Sequence, residues 1–113
     1  MVDSRGIEGS WQAVTVAGEA VVAGHEPTAT FLATEVSGTT GCNSYGGSYT
    51  YLDGRIVIGE MRMTLMACIG PIGDVESRFT QAMSEATAAA VDVEGRLVIE
   101  GSSGSVVFVP TTG

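Results

Sequence analysis

Two short segments, residues 40–49 and 64–68, contain the side chains whose types could support chemistry. Each segment carries one of the two cysteines, Cys42 and Cys68. A reactive thiol needs an adjacent base, and the only histidine, His25, lies in neither segment. The cysteine spacing also differs from the Cys-x-x-Cys motif of redox enzymes. The sequence therefore predicts no catalytic cysteine.

The two cysteines have three other interpretations. A structural zinc site takes about four nitrogen or sulfur ligands, and His25 is the only further soft ligand, so we predict no metal site. A bond between Cys42 and Cys68 would stabilise the fold by about 3.5 kcal/mol in the chain-entropy model and would indicate an oxidising compartment. Two buried thiols would instead behave as small hydrophobic side chains. Spacing alone does not decide between the bond and the thiols.

The glycines around Cys42 resemble a phosphate-binding loop in composition only. A P-loop needs a lysine before its helix, and this chain has none. No serine lies in a Gly-x-Ser-x-Gly motif, so His25 has no nucleophile to activate. We therefore predict no catalytic residue, no cofactor and no enzymatic activity.

Aromatic residues offer a candidate binding surface. Tyr49 and Tyr51 lie on one face of a predicted strand, and Tyr45 and Trp11 are added to the same candidate surface. Tyrosine combines apolar area with a polar tip, and exposed aromatic patches mark binding sites. The alternative is that these rings pack in the core of the fold.

Composition limits the partners. The 113 residues fit one domain, and the formal net charge is −8 with five arginines scattered along the chain. A polyanion needs several cations on one face, so we predict no nucleic-acid partner.

No apolar run approaches the roughly 20 residues that span a bilayer, so the chain is not transmembrane. The first residues do not form a signal peptide, which leaves a cytosolic protein or one whose export signal lies outside this sequence.

Short apolar segments separated by turns predict a β-rich fold. The chain contains 16 glycines, and alternation predicts strands at residues 10–16, 28–33, 35–38, 48–52, 55–58, 61–67, 96–100 and 105–109. Asp53-Gly54 predicts a type I′ hairpin between two of them.

One segment shows helical spacing. Apolar residues recur at intervals of three and four from Val75 to Ala86, which predicts one α-helix near residues 74–89 with Asp74 as its N-cap. The elements together predict a mainly β (α+β) fold. We expect an antiparallel curled sheet or small barrel of about eight strands, with the helix packed on it or closing one end.

The order of motifs resembles a known family. Its main motif residues are Gly41, Cys42, Asn43, Tyr45, Gly47, Tyr49, Thr64, Met66 and Cys68. Trp11, Phe31, Glu76 and Phe79 also belong to the pattern. In this order they resemble the META domain, also called the HslJ-like family, from about Gly9 to Pro110. The resemblance implies a compact barrel-like fold with one helix and no established active site. It also favours a Cys42–Cys68 disulfide.

The resemblance implies a bacterial envelope setting, because members are often exported, some as lipoproteins. They are linked to heat shock, antibiotic tolerance or, in a protozoan branch, virulence and motility. We therefore expect the protein to be located in the periplasm, in the outer envelope or outside the cell. A lipid anchor on a longer precursor is compatible with this expectation. We predict a tail at residues 1–8 and a monomeric domain at residues 9–113.

The predicted function is that of a non-enzymatic, stress-associated envelope domain that acts by protein binding or structural support. One alternative is a barrel that carries a small apolar ligand. Another is an inhibitor of an envelope-directed enzyme.

Overall fold

The computed structural model describes residues 6–111, which contain nine strands and one helix. In chain order these are β1 (Gly9–Val16), β2 (Glu19–Ala20), β3 (Thr28–Phe31), β4 (Glu35–Thr39), β5 (Ser44–Leu52), β6 (Arg55–Met63), α1 (Gly70–Ser84), β7 (Ala86–Val91), β8 (Leu97–Gly101) and β9 (Gly104–Pro110).

The strands close into an antiparallel barrel. Apart from β2, each strand pairs with the next along the chain, and β1 pairs with β9 to complete the ring. In that closing ladder Gln12 lies opposite Val109 and Val16 opposite Val106. The two residues of β2 pair only with the end of β1. Closure pairs the backbone N–H and C=O groups of the edge strands, which would otherwise be free to pair with other chains and aggregate. The predicted mainly β fold, a small antiparallel barrel with one helix, is confirmed.

Alternate side chains of the strands fill the barrel interior. The rings of Phe31 and Tyr49 meet edge to face with centroids 5.0 Å apart. Phe79 reaches in from the helix, with its centroid 5.6 Å from that of Tyr45 and 6.2 Å from that of Phe108. All five rings belong to one buried cluster. Because side chains occupy this interior, the structure argues against the alternative of a barrel that carries an apolar ligand.

The seam between β6 and β7 is the shortest ladder of the ring. Among residues 6–111 its strand register consists of Arg55 opposite Ala88, with a further hydrogen bond from the Ala89 N–H to the Gly54 carbonyl at 2.9 Å. The helix α1 lies between these strands in sequence and packs on β1, β6, β8 and β9. The helix therefore packs on β6, at one side of this seam.

The helix is confirmed, but it is shifted relative to residues 74–89. It begins at Gly70, with Ile69 rather than Asp74 as the N-cap and a proline in its first turn. Proline suits that turn because the first helical N–H groups have no intrahelical acceptor. The predicted apolar face is buried at Val75, Phe79, Ala82 and Met83. No helix within the described residues is long and apolar enough to cross a membrane.

The predicted end of the helix is replaced by a strand. Residues Ala86–Val91 form β7 and pair with β8, for example Ala89 with Ile99. Alanine has high helix propensity, but that preference is worth less than 1 kcal/mol per residue, and the barrel needs this strand to close. Tertiary pairing therefore overrides local propensity here.

Other boundaries also differ from the prediction, among them the start of β5, which is Ser44 rather than residue 48. β6 is a single strand from Arg55 to Met63, and residues 64–69 after it have no regular structure. Ile7, assigned to the tail, is buried and its carbonyl accepts the Trp11 indole N–H at 2.9 Å. The packed chain thus starts before residue 9, and the tail residues 1–5 lie outside the described part.

The β5–β6 hairpin yields a test of backbone strain. Asp53 and Gly54 have φ values of 53° and 84°, as a type I′ turn requires. Gly54→Val is expected to lower the free energy of unfolding by about 1–3 kcal/mol, because a β-branched residue is strained at positive φ. Urea denaturation measures the change. Gly6→Val is the control, since a Cβ there meets the Tyr51 ring at 3.8 Å without backbone strain. Equal midpoints for the two variants would contradict the turn assignment.

Candidate functional site

The two segments with chemically capable residues lie side by side. Because β5 and β6 are antiparallel, the turn before β5 and the loop after β6 are neighbours. The Cα atoms of Cys42 and Cys68 are 6.4 Å apart and their sulfurs are bonded. Of the two interpretations that spacing left open, the structure contains the disulfide.

Asn43 connects the turn, the loop and the helix. Its side chain is 3% exposed. Its Oδ1 accepts the Thr64 hydroxyl at 2.8 Å and the Met66 N–H at 2.7 Å. Its Nδ2 donates to the Met66 carbonyl at 3.1 Å and to Glu76 Oε2 at 2.7 Å. The amide's two acceptor sites and two donors are all engaged, which fixes its orientation.

Glu76 lies in the second helical turn of α1 and makes a further hydrogen bond to the turn that precedes β5. Its Oε2 also accepts the Thr40 hydroxyl at 2.7 Å, and Thr40 is fully buried. Thr40 Oγ1 in turn accepts the N–H groups of Cys42 at 3.2 Å and Asn43 at 2.9 Å. Hydrogen bonds to an ionised carboxylate are about twice as strong as neutral ones. The carboxylate therefore anchors the turn to the helix.

Gly41 allows the turn to pass close to the loop that carries His25. Its φ is 100°, and an added Cβ would overlap the His25 carbonyl oxygen. The exposed His25 ring places Nδ1 3.3 Å from the Gly41 carbonyl oxygen. His25 thus borders the disulfide, yet the bonded sulfurs leave it no thiol to activate.

A groove of about 370 Å³ opens beside the disulfide. Its lining residues are His25, Gly41, Cys42, Met66, Cys68, Ile69 and Ile72. Next to it the chain exposes three large apolar side chains: Leu65 is 92% exposed, Met66 61% and Ile69 89%. We call Leu65, Met66 and Ile69 the apolar loop. Three such side chains within five residues form a patch of the kind that marks interaction sites.

The aromatic residues proposed as a binding surface lie mainly in the core. Trp11, Tyr45 and Tyr49 are buried, and Tyr51 is half-buried. Their polar tips are satisfied internally: the Tyr45 hydroxyl donates to the Thr28 carbonyl at 2.6 Å. Burial raises the pKa of the Tyr45 hydroxyl above its ordinary value. The core-packing alternative describes these rings.

Sequence reasoning found the motif residues but not their partners. Glu76 is among the residues that carry the family resemblance, but the sequence assigns it no partner. Nothing local indicated that Glu76 would meet Thr40 and Asn43, which lie 36 and 33 residues away. The sequence pattern places Leu65 and Met66 in a predicted strand, residues 61–67, and gives no signal for Ile69.

Three potential metal ligands meet at this site. Each of these residues, Cys42, Cys68 and Glu76, offers one ligand atom, and the three atoms lie within 4.8 Å of one another. A disulfide sulfur is a poor metal ligand, since metals bind the thiolate. In the bonded state the site therefore offers a rigid groove and an apolar rim rather than a metal centre.

Comparison with known proteins supports the fold and the family. The family model of the META domain matches residues 5–112. An NMR structure of a protein from Burkholderia xenovorans is similar at a TM-score of 0.73 and 25% identity, covering 94% of this chain and 83% of that one. A second NMR structure is similar at a TM-score of 0.75 and 19% identity, covering 97% and 96%. Among curated proteins, none matches this chain.

The Asn43 network predicts a large effect of a small truncation. Asn43→Ala is expected to lower the free energy of unfolding by at least about 2 kcal/mol, because it leaves polar groups of Met66 and Glu76 without their partner. Chemical denaturation under oxidising conditions measures the loss. Thr50→Ala, at an exposed position of β5, serves as the control and should change stability by under about 0.5 kcal/mol. A loss for Asn43→Ala no larger than the control's would contradict the role of the network.

The disulfide predicts a redox-dependent stability. The bonded cysteines are separated by 26 positions, so reduction is expected to lower the free energy of unfolding by about 3.5 kcal/mol in the chain-entropy model. Unfolding curves with and without a thiol reductant measure it, and a Cys42→Ser/Cys68→Ser variant should not respond. The intact oxidised chain should weigh two hydrogens less than the reduced chain. Alkylation of both cysteines in the native, unreduced protein would refute the bond.

Proposed function

The chain belongs to the META domain family, and from this premise we propose that it is a non-enzymatic binding domain of the bacterial envelope. It contacts a protein partner through the apolar loop beside its disulfide. The observation that carries the proposal is the exposure of Leu65, Met66 and Ile69 on a segment that is held rigidly. Exposed leucine and isoleucine side chains gain free energy when a partner covers them, roughly 1.5–3 kcal/mol each when fully buried.

Rigidity makes the loop suitable for binding. Met66 is held through both its N–H and its carbonyl by Asn43, and Cys68 is held by the disulfide. Ordering a flexible loop on binding would cost free energy for every immobilised residue. In this loop the ordering occurs during folding, so more of the free energy gained by burying apolar surface contributes to affinity.

Charge narrows the class of partner. The chain has 13 acidic residues and five basic ones, all arginine. Glu26 adjoins the lining residue His25, and Asp74 lies two residues beyond the lining residue Ile72. The acidic excess of the chain favours a partner that presents an apolar segment flanked by basic residues. An inhibited envelope enzyme is one form that such a partner could take.

The disulfide supports the envelope setting. Disulfides persist in secreted and periplasmic proteins and are rare in the reducing cytosol. The family resemblance points to the same compartment and to an association with stress. We propose the periplasm, the outer envelope or the exterior as the site of action, with the domain itself monomeric.

Site-specific photo-crosslinking tests the proposal. A photoreactive residue at position 65 of the exported chain should crosslink to a partner, and the same residue at position 57 should not. The partner is then purified and its affinity measured by calorimetry for wild type and for Leu65→Ser/Ile69→Ser. Loss of two central apolar contacts should weaken binding by about 100-fold or more, since hot-spot truncations cost 2 kcal/mol or more each.

The matched control is Val57→Ser/Val93→Ser. These valines are 64% and 103% exposed but lie on β6 and in the turn after β7, away from the apolar loop. The control variant should bind like wild type. Equal affinities for the loop variant and the control would contradict the proposal, as would crosslinking from position 57 alone. Crosslinks only between copies of this chain would also contradict it, because they would indicate self-association.

A further inference from the structure

The cluster of Cys42, Cys68 and Glu76 carries an inference that does not depend on a protein partner. We propose that the reduced protein binds a zinc-like divalent cation through the two thiolates and the Glu76 carboxylate. The disulfide then acts as a lock that closes this metal site. The residues come from the β4–β5 turn, the loop after β6 and the helix, so only the folded chain assembles them.

The distances suit a tetrahedral site. The three ligand atoms lie within 4.8 Å of one another. Zinc binds thiolate at about 2.3 Å and carboxylate oxygen at about 2.0–2.2 Å, which places tetrahedral ligand atoms roughly 3.5–3.8 Å apart. Once the bond between the sulfurs is broken, small side-chain rotations are sufficient to reach these separations. Three protein ligands leave a fourth position for water.

The surroundings already orient the ligands. Glu76 Oε2 accepts hydrogen bonds from Thr40 and Asn43. Among residues 6–111 these two hydrogen bonds both go to Oε2, so the carboxylate keeps lone pairs that can bind a cation. The Asn43 amide nitrogen also lies 3.5 Å from Cys42 Sγ, so one of its two N–H groups is shared between that sulfur and an oxygen acceptor. Metal-binding side chains generally have outer partners of this kind, which hold them in position.

Access and charge favour the cation. Cys42 and Cys68 are only half-buried, and both line the groove of about 370 Å³. A small reductant and a metal ion can therefore reach the sulfurs. The net charge of −8 raises the local concentration of cations. Two thiolates and one carboxylate select zinc or cobalt over magnesium or calcium, which prefer all-oxygen sites.

The redox step is a thiol–disulfide exchange with a dithiol reductant. One thiolate of the dithiol attacks a sulfur of the disulfide, forms a mixed disulfide and releases the other cysteine, which takes up a proton. The second thiol of the reductant then displaces the remaining cysteine and leaves as a cyclic disulfide. Two electrons and two protons pass to Cys42 and Cys68, and the dithiol is oxidised. Cation binding then releases both cysteine protons to solvent.

Metal titration of the purified, partner-free protein tests the inference. After anaerobic reduction with a phosphine and its removal, Zn²⁺ is titrated by calorimetry and Co²⁺ by absorption. We expect one ion per reduced chain, a thiolate-to-cobalt charge-transfer band, and binding at least about 100-fold weaker in the oxidised protein. Zinc should also protect both thiols from alkylation. Failure of the reduced wild type to bind zinc would overturn the proposal and would leave the partner-binding function untouched.

Glu76→Gln separates this site from a simple pair of thiols. Glutamine keeps the oxygen that accepts from Thr40 and Asn43, so the fold should survive, which circular dichroism of the metal-free protein checks. Zinc affinity should fall by at least about tenfold. Asp74→Asn, an exposed carboxylate on the same helix, is the matched control and should bind like wild type. Equal affinities for all three proteins would overturn the role of Glu76. Should Glu76→Gln not fold, Cys68→Ser decides instead: it should lose about half the charge-transfer intensity, and an unchanged band would overturn the site.

Discussion

The hydrogen bond from the Asn43 amide to the Glu76 carboxylate is the interaction on which this surface depends. It joins the turn before β5 to the helix, while the same amide holds the loop after β6. Asn43 is buried, so each of its polar atoms must find a partner within the protein, and the cost of leaving one unpaired fixes the geometry. The disulfide adds a covalent link between the same turn and loop. These links together hold the turn, the loop and the helix at one place.

This arrangement explains why apolar side chains can remain in water on a well-ordered segment. A loop with Leu65 and Ile69 outside would lower its free energy by collapsing onto the barrel if it were free to move. The barrel interior is already filled by aromatic rings, and the loop backbone is fixed at Met66 and Cys68. The exposed side chains therefore have nowhere to pack within the chain. An external surface is the remaining way to bury them, which connects the packing of the core to the proposed function.

Much of the fold was predictable from local patterns. The Asp53-Gly54 turn and the alternation around Phe108 indicated an antiparallel barrel, and the Val75–Phe79 face indicated the helix. The errors occurred where local and tertiary preferences conflict. The alanines after Ser84 favour a helix by intrinsic propensity, yet they pair with β8 because the ring would otherwise stay open. Residues 64–67 alternate like a strand, yet the N–H and carbonyl of Met66 bond to the Asn43 side chain rather than to a neighbouring strand.

The sequence by itself determined the β-rich class, the absence of lysine, the acidic charge, the family resemblance and the motif residues themselves. These properties depend on composition and on spacing over a few residues, which a single strand or turn expresses. The partners of the motif residues were decided only by the tertiary structure. Antiparallel pairing of β5 with β6 brings Cys42 to Cys68, and helix packing brings Glu76 to Thr40, across 26 and 36 positions. Such contacts arise from closure of the barrel. No local pattern in the sequence indicates which distant side chain will become the hydrogen-bond partner of a buried polar group.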